Sequence, residues 1–206
     1  MAWIDDQLVA RGIQDQRVLD AMQRVPRHLF VDRQAQSLAY ADRALPIGAG
    51  QTISQPYMVA AMTEALQLQG HERVLDVGTG SGYQAAILAE LAREVITIER
   101  QPELAEAARE RLGSLGYQNV RVLVGDGSLG FAESAPYDGI LVAAAAPRVP
   151  SSLKNQLAEG ARLIVPVGPP DHQRLTVVTR CDHNFAETVQ EACVFVLLVG
   201  AEGWPG

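Results

Sequence analysis

The residues best suited to bind a nucleotide lie in one glycine-rich stretch, Val74-Leu75-Asp76-Val77-Gly78-Thr79-Gly80-Ser81-Gly82-Tyr83. The apolar run at its start is typical of a buried strand, and an apolar helical pattern begins at Ala85. Glycines allow a sharp turn and a close approach of a ligand to the backbone, and a helix N-terminus directs unpaired N–H groups at that ligand. Strand, glycine turn and helix start together predict a nucleotide-binding loop.

Two positions narrow the identity of the nucleotide. The dinucleotide fingerprint Gly-x-Gly-x-x-Gly requires glycine where this chain has Tyr83. Asp76 would repel a pyrophosphate but suits a positively charged ligand, and S-adenosylmethionine (AdoMet) carries a sulfonium and an ammonium group. The spacing Asp-x-Gly-x-Gly-x-Gly resembles the first motif of class I AdoMet-dependent methyltransferases. A glycine turn without a ligand is the structural alternative, and a dehydrogenase is the least favoured one.

A second acid supports nucleotide binding. Val95-Ile96-Thr97-Ile98 is typical of a strand, and Glu99 closes it. An acid about 20 residues beyond a glycine loop, at the end of the second strand, is placed to accept hydrogen bonds from ribose hydroxyls. A lone solvated glutamate is common at strand ends, but the glycine loop and Glu99 together are much more specific than either alone.

Composition and charge exclude several classes of protein. The 206 residues, 48% hydrophobic and 20% charged, predict one globular domain over residues 1–206, with the helices and loop of residues 1–50 packed on it. The net charge of −7 argues against a nucleic-acid binder. Neither the two cysteines nor the four histidines, His183 among them, have metal-ligand spacing. Without a signal peptide or an apolar run long enough to span a bilayer, we expect a cytoplasmic monomer with no metal, membrane or nucleic-acid partner.

Hydrophobic periodicity predicts the elements that position these residues. Alternating strands and helices indicate an α/β fold, a doubly wound, mostly parallel seven-stranded sheet of the Rossmann-like class I methyltransferase type under an N-terminal helical cover. At least one of the last two strands should be antiparallel, and residues 203–206 should form a loose tail. Strands are predicted at 74–77, 95–99, 120–124, 137–142, 162–167, 175–179 and 193–199, and helices at 4–10, 15–25, 56–66, 85 onward, 103–112 and 151–157, with a structured loop at 40–56.

Ser54 allows two interpretations. It lies just before a helix with Pro56 in its first turn, where a serine side chain often caps the free N–H groups, and the residues alone favour this role slightly. Alternatively, its hydroxyl faces the nucleotide loop, because this helix leads directly into the strand that carries Asp76.

Taken together, these motifs resemble the protein-L-isoaspartate (D-aspartate) O-methyltransferase family over about residues 10–200. The glycine motif is general to AdoMet enzymes, whereas the element around Ser54 is specific to this family. The segments that carry the resemblance are Thr52-Ile53-Ser54-Gln55-Pro56, residues 76–83, Glu99, Gly125-Asp126-Gly127, Val25-Pro26-Arg27 with Phe30-Val31, and Leu45-Pro46-Ile47-Gly48.

The resemblance implies methyl transfer from AdoMet to the free carboxylate of L-isoaspartyl and D-aspartyl residues in damaged proteins and peptides, with S-adenosylhomocysteine as product and repair through a succinimide. It implies Ser54 as the catalytic residue. The cofactor residues implied are Ile53, Asp76, Gly78, Thr79, Gly80, Ser81, Glu99, Arg100, Gly125, Asp126 and Gly127, and the substrate residues are Ser54, Gln55, Ala143, Ala144 and Val194.

The chain departs from the family pattern on the acceptor side. Ala143 and Ala146 replace a threonine and a proline after the fourth strand, and Val194 and Leu197 replace an arginine and a proline near the end. A lost arginine removes a possible partner for an acidic peptide. These changes motivate a second hypothesis, a carboxyl methyltransferase for another acceptor, such as an aspartate in a tailored peptide. A third is an AdoMet-binding module without catalysis.

Overall fold

The computed structural model describes residues 2–182 and 184–206, so Met1 and His183, one of the four histidines counted above, lie outside the described residues. Its helices are α1 (Ala2–Gln7), α2 (Gln16–Arg24), α3 (Pro56–Leu66), α4 (Tyr83–Ala89), α5 (Pro102–Ser114) and α6 (Ser151–Asn155). Its strands are β1 (Leu45–Gly48), β2 (Gln51–Ile53), β3 (Arg73–Val77), β4 (Glu94–Glu99), β5 (Val120–Val124), β6 (Tyr137–Val142), β7 (Leu157–Val167), β8 (Gln173–Cys181) and β9 (Asn184–Cys193).

The main sheet has seven strands in the order β5-β4-β3-β6-β7-β8-β9. Strands β3 to β7 run parallel, and β8 and β9 are antiparallel additions at one edge, which confirms the predicted doubly wound, mostly parallel sheet. The chain moves outward from β3 through β4 to β5 and then returns to place β6 on the other side of β3. Ligands of open α/β sheets bind at such a reversal, beyond the carboxyl ends of the strands.

Alternating strand residues face two separate cores. Val74 and Leu141 belong to the core under α3, α4 and α5, whereas Leu75 and Ile140 belong to the core on the α6 face. The N-terminal cover joins the first core, because α2 packs against α3 and α4. In the described part of the chain, no helix is long and apolar enough to cross a membrane.

The predicted helix through Leu157 is wrong in its second half. Helix α6 ends at Asn155, and β7 begins at Leu157, which pairs with Tyr137 before a register shift. Gly160 therefore lies inside a strand, with a φ of +78°, instead of ending a helix. In the sequence, a glycine that follows an apolar helical pattern is typical of a helix end. The pattern therefore favoured a helix where the structure has a strand.

The last strand is also displaced from its predicted position at 193–199. β9 ends at Cys193, and most of its residues are exposed because it forms the edge of the sheet, so it lacks an apolar signature. Residues 194–199 instead run as an irregular segment with isolated bridges at Leu197 and Val199. The predicted loose tail is wrong as well, because Trp204 Nε1 donates to the carbonyl oxygen of Ala145 at 3.1 Å.

Candidate active site

The glycine loop joins β3 to α4 and forms one wall of a cavity at the reversal point of the sheet. Gly78, Gly80 and Gly82 have φ angles of +97°, +51° and +88°, a region that other residues rarely adopt. A Cβ on Gly78 would meet Ala143 Cβ at 3.7 Å, across the gap between the ends of β3 and β6. The loop therefore requires glycine for its conformation, and it leaves its backbone open to a ligand. We call this space the glycine-loop cavity.

Glu99 lines the same cavity and is bound to the loop itself. Its Oε2 accepts the Gly80 N–H at 3.0 Å, and its Oε1 accepts the Gln101 N–H at 3.0 Å. Only 6% of the residue is exposed. Each carboxylate oxygen retains a free lone pair, so Glu99 can hold the loop and still accept hydrogen bonds from a ligand hydroxyl.

Asp76 does not line the cavity, although the sequence predicted it as a cofactor residue. It is fully buried behind the loop, where Thr97 Oγ1 donates to its Oδ2 at 2.7 Å and Thr79 Oγ1 lies 2.6 Å from Thr97 Oγ1. Its Oδ1 has no hydrogen-bond partner among the described residues. Burial, and secondarily the charge of Glu99, raises the pKa of Asp76 to about 7. Asp76 is thus connected to the cavity lining by two hydrogen bonds, one with Thr97 and one between Thr97 and Thr79.

In the Gly-Asp-Gly turn after β5, one residue lines the cavity and the other two do not. Gly127 lines the cavity, and a Cβ there would lie only 2.5 Å from Val77 Cγ1. Gly125 and Asp126 lie outside the lining. Asp126 Oδ1 accepts hydrogen bonds from the backbone and hydroxyl of Ser128, and its Oδ2 accepts the Ala201 N–H. Partial burial alone would raise the pKa of Asp126, but these hydrogen bonds lower it. Its side chain fastens the C-terminal segment.

Ser54 lies between the glycine-loop cavity and a second cavity, which we call the outer cavity. Gln55 is the N-cap of α3, and no side chain of the described residues caps this helix with a hydrogen bond, so the capping interpretation of Ser54 is wrong. Ser54 lines both cavities, as do Thr52, Ala143 and Val196. Because four residues are shared, the cavities are adjacent, and a group bound in one can reach a group bound in the other near Ser54.

The outer cavity contains all the predicted substrate residues except Ala144. Gln55, Ala143 and Val194 line it, and Val194 is 75% exposed at its rim. Ala144 lines only the glycine-loop cavity, where Ile53, Thr79, Ser81 and Arg100 also lie.

Charged groups in the outer cavity have both signs. Arg11 pairs with Asp42 and lies 3.4 Å above the centre of the Tyr57 ring. The Tyr57 hydroxyl donates to Glu191, and burial together with this carboxylate raises the pKa of Tyr57. The outer cavity can therefore contact both acidic and basic groups of a peptide.

Several lining residues were not predicted from the sequence. Thr52 adjoins Ser54 and could have been found from that neighbour alone. Residues 196–199, in contrast, form a wall of the glycine-loop cavity only because they do not form the strand expected there. Gln173, which is fully buried, holds this segment by accepting the Phe195 N–H at 2.7 Å, and no sequence signal marked it.

Comparisons with known proteins agree with this geometry. The sequence model of the family "Protein-L-isoaspartate(D-aspartate) O-methyltransferase" matches residues 3–203. The chain is 54% identical over 203 residues to "Protein-L-isoaspartate O-methyltransferase 1" of Syntrophobacter fumaroxidans, covering 98% of this chain and 95% of the relative. It is 56% identical over 206 residues to "Protein-L-isoaspartate O-methyltransferase 2" of Marinobacter nauticus, covering 99% and 94%.

Two solved structures share the fold across the chain. A protein-L-isoaspartate O-methyltransferase matches 95% of this chain with a TM-score of 0.86 and 29% identity, and this chain spans 64% of that longer one. A Plasmodium falciparum protein, described as a beta-aspartate methyltransferase in complex with S-adenosyl-L-homocysteine, matches 96% of this chain and 97% of its own, with a TM-score of 0.83 and 26% identity.

Proposed function

The chain belongs to the protein-L-isoaspartate(D-aspartate) O-methyltransferase family, and we propose that it methylates the free carboxylate of L-isoaspartyl and D-aspartyl residues from AdoMet, with Ser54 holding the acceptor. The observation that supports this role is the position of Ser54, which lines both adjacent cavities. The ester would then close to a succinimide, whose hydrolysis returns some normal aspartate.

The glycine-loop cavity fits AdoMet. Its backbone is open where a Cβ on Gly78 would fill the space beside Ala143. Glu99 offers carboxylate lone pairs to ribose hydroxyls, and Asp76 supports the loop from behind through Thr97, which is hydrogen-bonded to both Asp76 and Thr79. Ile53, Gly78, Thr79, Gly80, Ser81, Arg100 and Gly127 complete the proposed cofactor set, whereas Gly125 and Asp126 support the turn. When bound, AdoMet supplies an electrophilic methyl group.

Catalysis by this chain needs positioning and no general base. A free carboxylate of either acceptor is already ionised at neutral pH, so nothing must remove a proton before it attacks. The Ser54 hydroxyl donates a hydrogen bond to one carboxylate oxygen, which leaves the other oxygen aligned with the methyl group. Ala143, which has only a methyl side chain, leaves room for the acceptor at the junction. Alignment and removal of water from the nucleophile supply most of the acceleration.

We also propose a domain organisation, an oligomeric state, partners and a location for the protein. Both cavities lie beside one seven-stranded sheet, which supports one catalytic domain over residues 1–206, and we propose that this domain acts as a monomer. The net charge of −7 supports a protein that does not act on nucleic acids. A cytoplasmic enzyme, with isoaspartyl proteins and peptides as its partners, fits these properties.

The experiment uses labelled AdoMet and two peptides that differ only in one residue, aspartate or isoaspartate. We expect base-labile methyl groups on the isoaspartyl peptide alone. Equal labelling of both peptides, or labelling of the aspartyl peptide alone, would instead support a different acceptor. Val194, which is exposed at the rim of the outer cavity, would then be the first residue to test for acceptor choice. AdoMet binding with no labelling of either peptide would overturn the proposed reaction.

A further inference from the structure

Arg27 is a fully buried arginine that no carboxylate among the described residues balances. Its exposed fraction is 0%, and none of the ion pairs among the described residues includes it. Its Nη1 is buried without a hydrogen-bond partner in the described part of the chain. Burying a charge without a counter-charge is costly to a fold, so stability alone does not account for an arginine here.

The guanidinium instead joins two parts of the active site, Ser54 and Tyr83, to the neighbouring backbone at Ala39. Nε donates to the Ala39 carbonyl oxygen at 2.7 Å, and Nη2 donates to the Ser54 carbonyl oxygen at 2.7 Å. The carbon at the centre of the guanidinium lies 4.8 Å from the centre of the Tyr83 ring. Tyr83 is the first residue of α4, directly after the glycine loop, and it lines the glycine-loop cavity.

The Tyr83 ring is itself held in place. Phe30, from the same 3-10 helix as Arg27, contacts it edge to face, with ring centres 5.3 Å apart. One planar cation therefore lies over the ring at the start of α4 and also donates a hydrogen bond to the backbone of Ser54. A lysine has no planar face and cannot hold both carbonyl oxygens in this fixed geometry.

We propose that Arg27 is a positioning residue, which fixes the backbone of Ser54 relative to the glycine loop and so sets the distance between methyl donor and acceptor. It touches neither reactant in this account. The inference rests on the proposed role of Ser54. Because small displacements in a site that acts by alignment cost up to about a hundredfold in rate, loss of this link should lower kcat more than it weakens cofactor binding.

The test is a double-mutant cycle of Arg27→Met and Ser54→Ala, with kcat measured on an isoaspartyl peptide and the AdoMet Kd measured by calorimetry. Arg27→Met should lower kcat by about tenfold to a hundredfold in the wild-type background while the Kd changes much less. In the Ser54→Ala background it should lower kcat by about twofold at most, because the group that it positions is gone.

Two further variants separate positioning from folding. Arg17 also donates to two backbone carbonyl oxygens, those of Leu68 and Leu91, but lines neither cavity, so Arg17→Met is the matched control and should leave kcat unchanged. Arg27→Lys keeps the charge and one possible bond, so it should recover part of the rate. It also replaces Arg27→Met in the cycle if the methionine variant does not fold.

The outcomes are distinguishable. Equal losses of kcat from Arg27→Met in both backgrounds, within about twofold, would overturn the positioning role and leave the proposed function intact. An unchanged kcat in Arg27→Met would also overturn it. If Ser54→Ala alone has no effect on kcat, the proposed role of Ser54 fails first, and the inference about Arg27 fails with it.

Discussion

Glu99→Gln should separate the two tasks that the structure gives this side chain. Both carboxylate oxygens accept backbone N–H groups, from Gly80 and from Gln101, each at 3.0 Å. A glutamine has one carbonyl oxygen, so in either orientation one of these N–H groups faces an amide nitrogen and loses its acceptor. The same change removes the negative charge that strengthens hydrogen bonds from ribose hydroxyls.

The expected sizes follow from the burial. Leaving one buried donor without an acceptor costs about 1–3 kcal/mol, and for a chain of this length each kcal/mol lowers Tm by about 2–4 °C. Hydrogen bonds to a charged group contribute about 1.5–3 kcal/mol, so the AdoMet Kd should rise by about tenfold to a hundredfold.

Calorimetry of AdoMet binding and thermal unfolding without AdoMet measure the two effects separately. Glu94→Gln is the matched control, because Glu94 lies on the same strand and forms a surface pair with Arg73, with 38% of its side chain exposed. This control should leave the Kd unchanged and lower the stability little. A lowered Tm with a wild-type Kd in Glu99→Gln would refute the cofactor role, since Glu99 would then only hold the loop.

Three further predictions concern the rest of the site. Gly127→Ala places a Cβ 2.5 Å from Val77 Cγ1 and should destabilise the fold by about 1–3 kcal/mol and weaken AdoMet binding, whereas an unchanged Tm would contradict the close contact. Burial raises the pKa of Asp76 to about 7, so the native state binds a proton that the unfolded chain releases. Wild-type stability, measured with denaturant, should therefore fall by about 2 kcal/mol relative to Asp76→Asn between about pH 5.5 and 8, and parallel curves would contradict this sign. Gln173→Leu frees Phe195, which lines the outer cavity but not the glycine-loop cavity, and should therefore raise the peptide KM more than the AdoMet Kd. Equal changes would show that Gln173 only stabilises the fold.

The parallel half of the fold could be predicted from the sequence, apart from the start of β7, because most elements there carry their own signal. Buried strands appear as apolar runs, and helices between them have a clear period. The glycine loop and Glu99 follow from that order, since the carboxyl ends of neighbouring parallel strands meet at one edge of the sheet.

The antiparallel half could not be predicted as well. β9 is exposed at the sheet edge and has few apolar residues, so the more apolar residues 193–199 resembled the strand instead. Their true place was set by long-range contacts such as the hydrogen bond from Trp204 to Ala145, which leave no local pattern.

The roles of several individual side chains could not be predicted from the sequence either. Ser54 has the position of a cap in the sequence, but in the structure α3 begins with Gln55 at its N-cap and has no side-chain cap. Asp126 has the position of a cofactor contact in the sequence, but in the structure Ser128 and Ala201 donate hydrogen bonds to its carboxylate. Arg27 belongs to a motif of the resemblance, yet only the structure shows that it contacts Ser54 and Tyr83.

A crystal structure of the protein with S-adenosylhomocysteine and an isoaspartyl peptide would test directly whether Ser54 joins the two cavities in catalysis. We predict the sulfur of S-adenosylhomocysteine in the glycine-loop cavity, the peptide in the outer cavity, and one oxygen of its free carboxylate within hydrogen-bonding distance of Ser54 Oγ. A carboxylate bound away from Ser54, with the junction of the two cavities closed between it and the sulfur, would contradict the account.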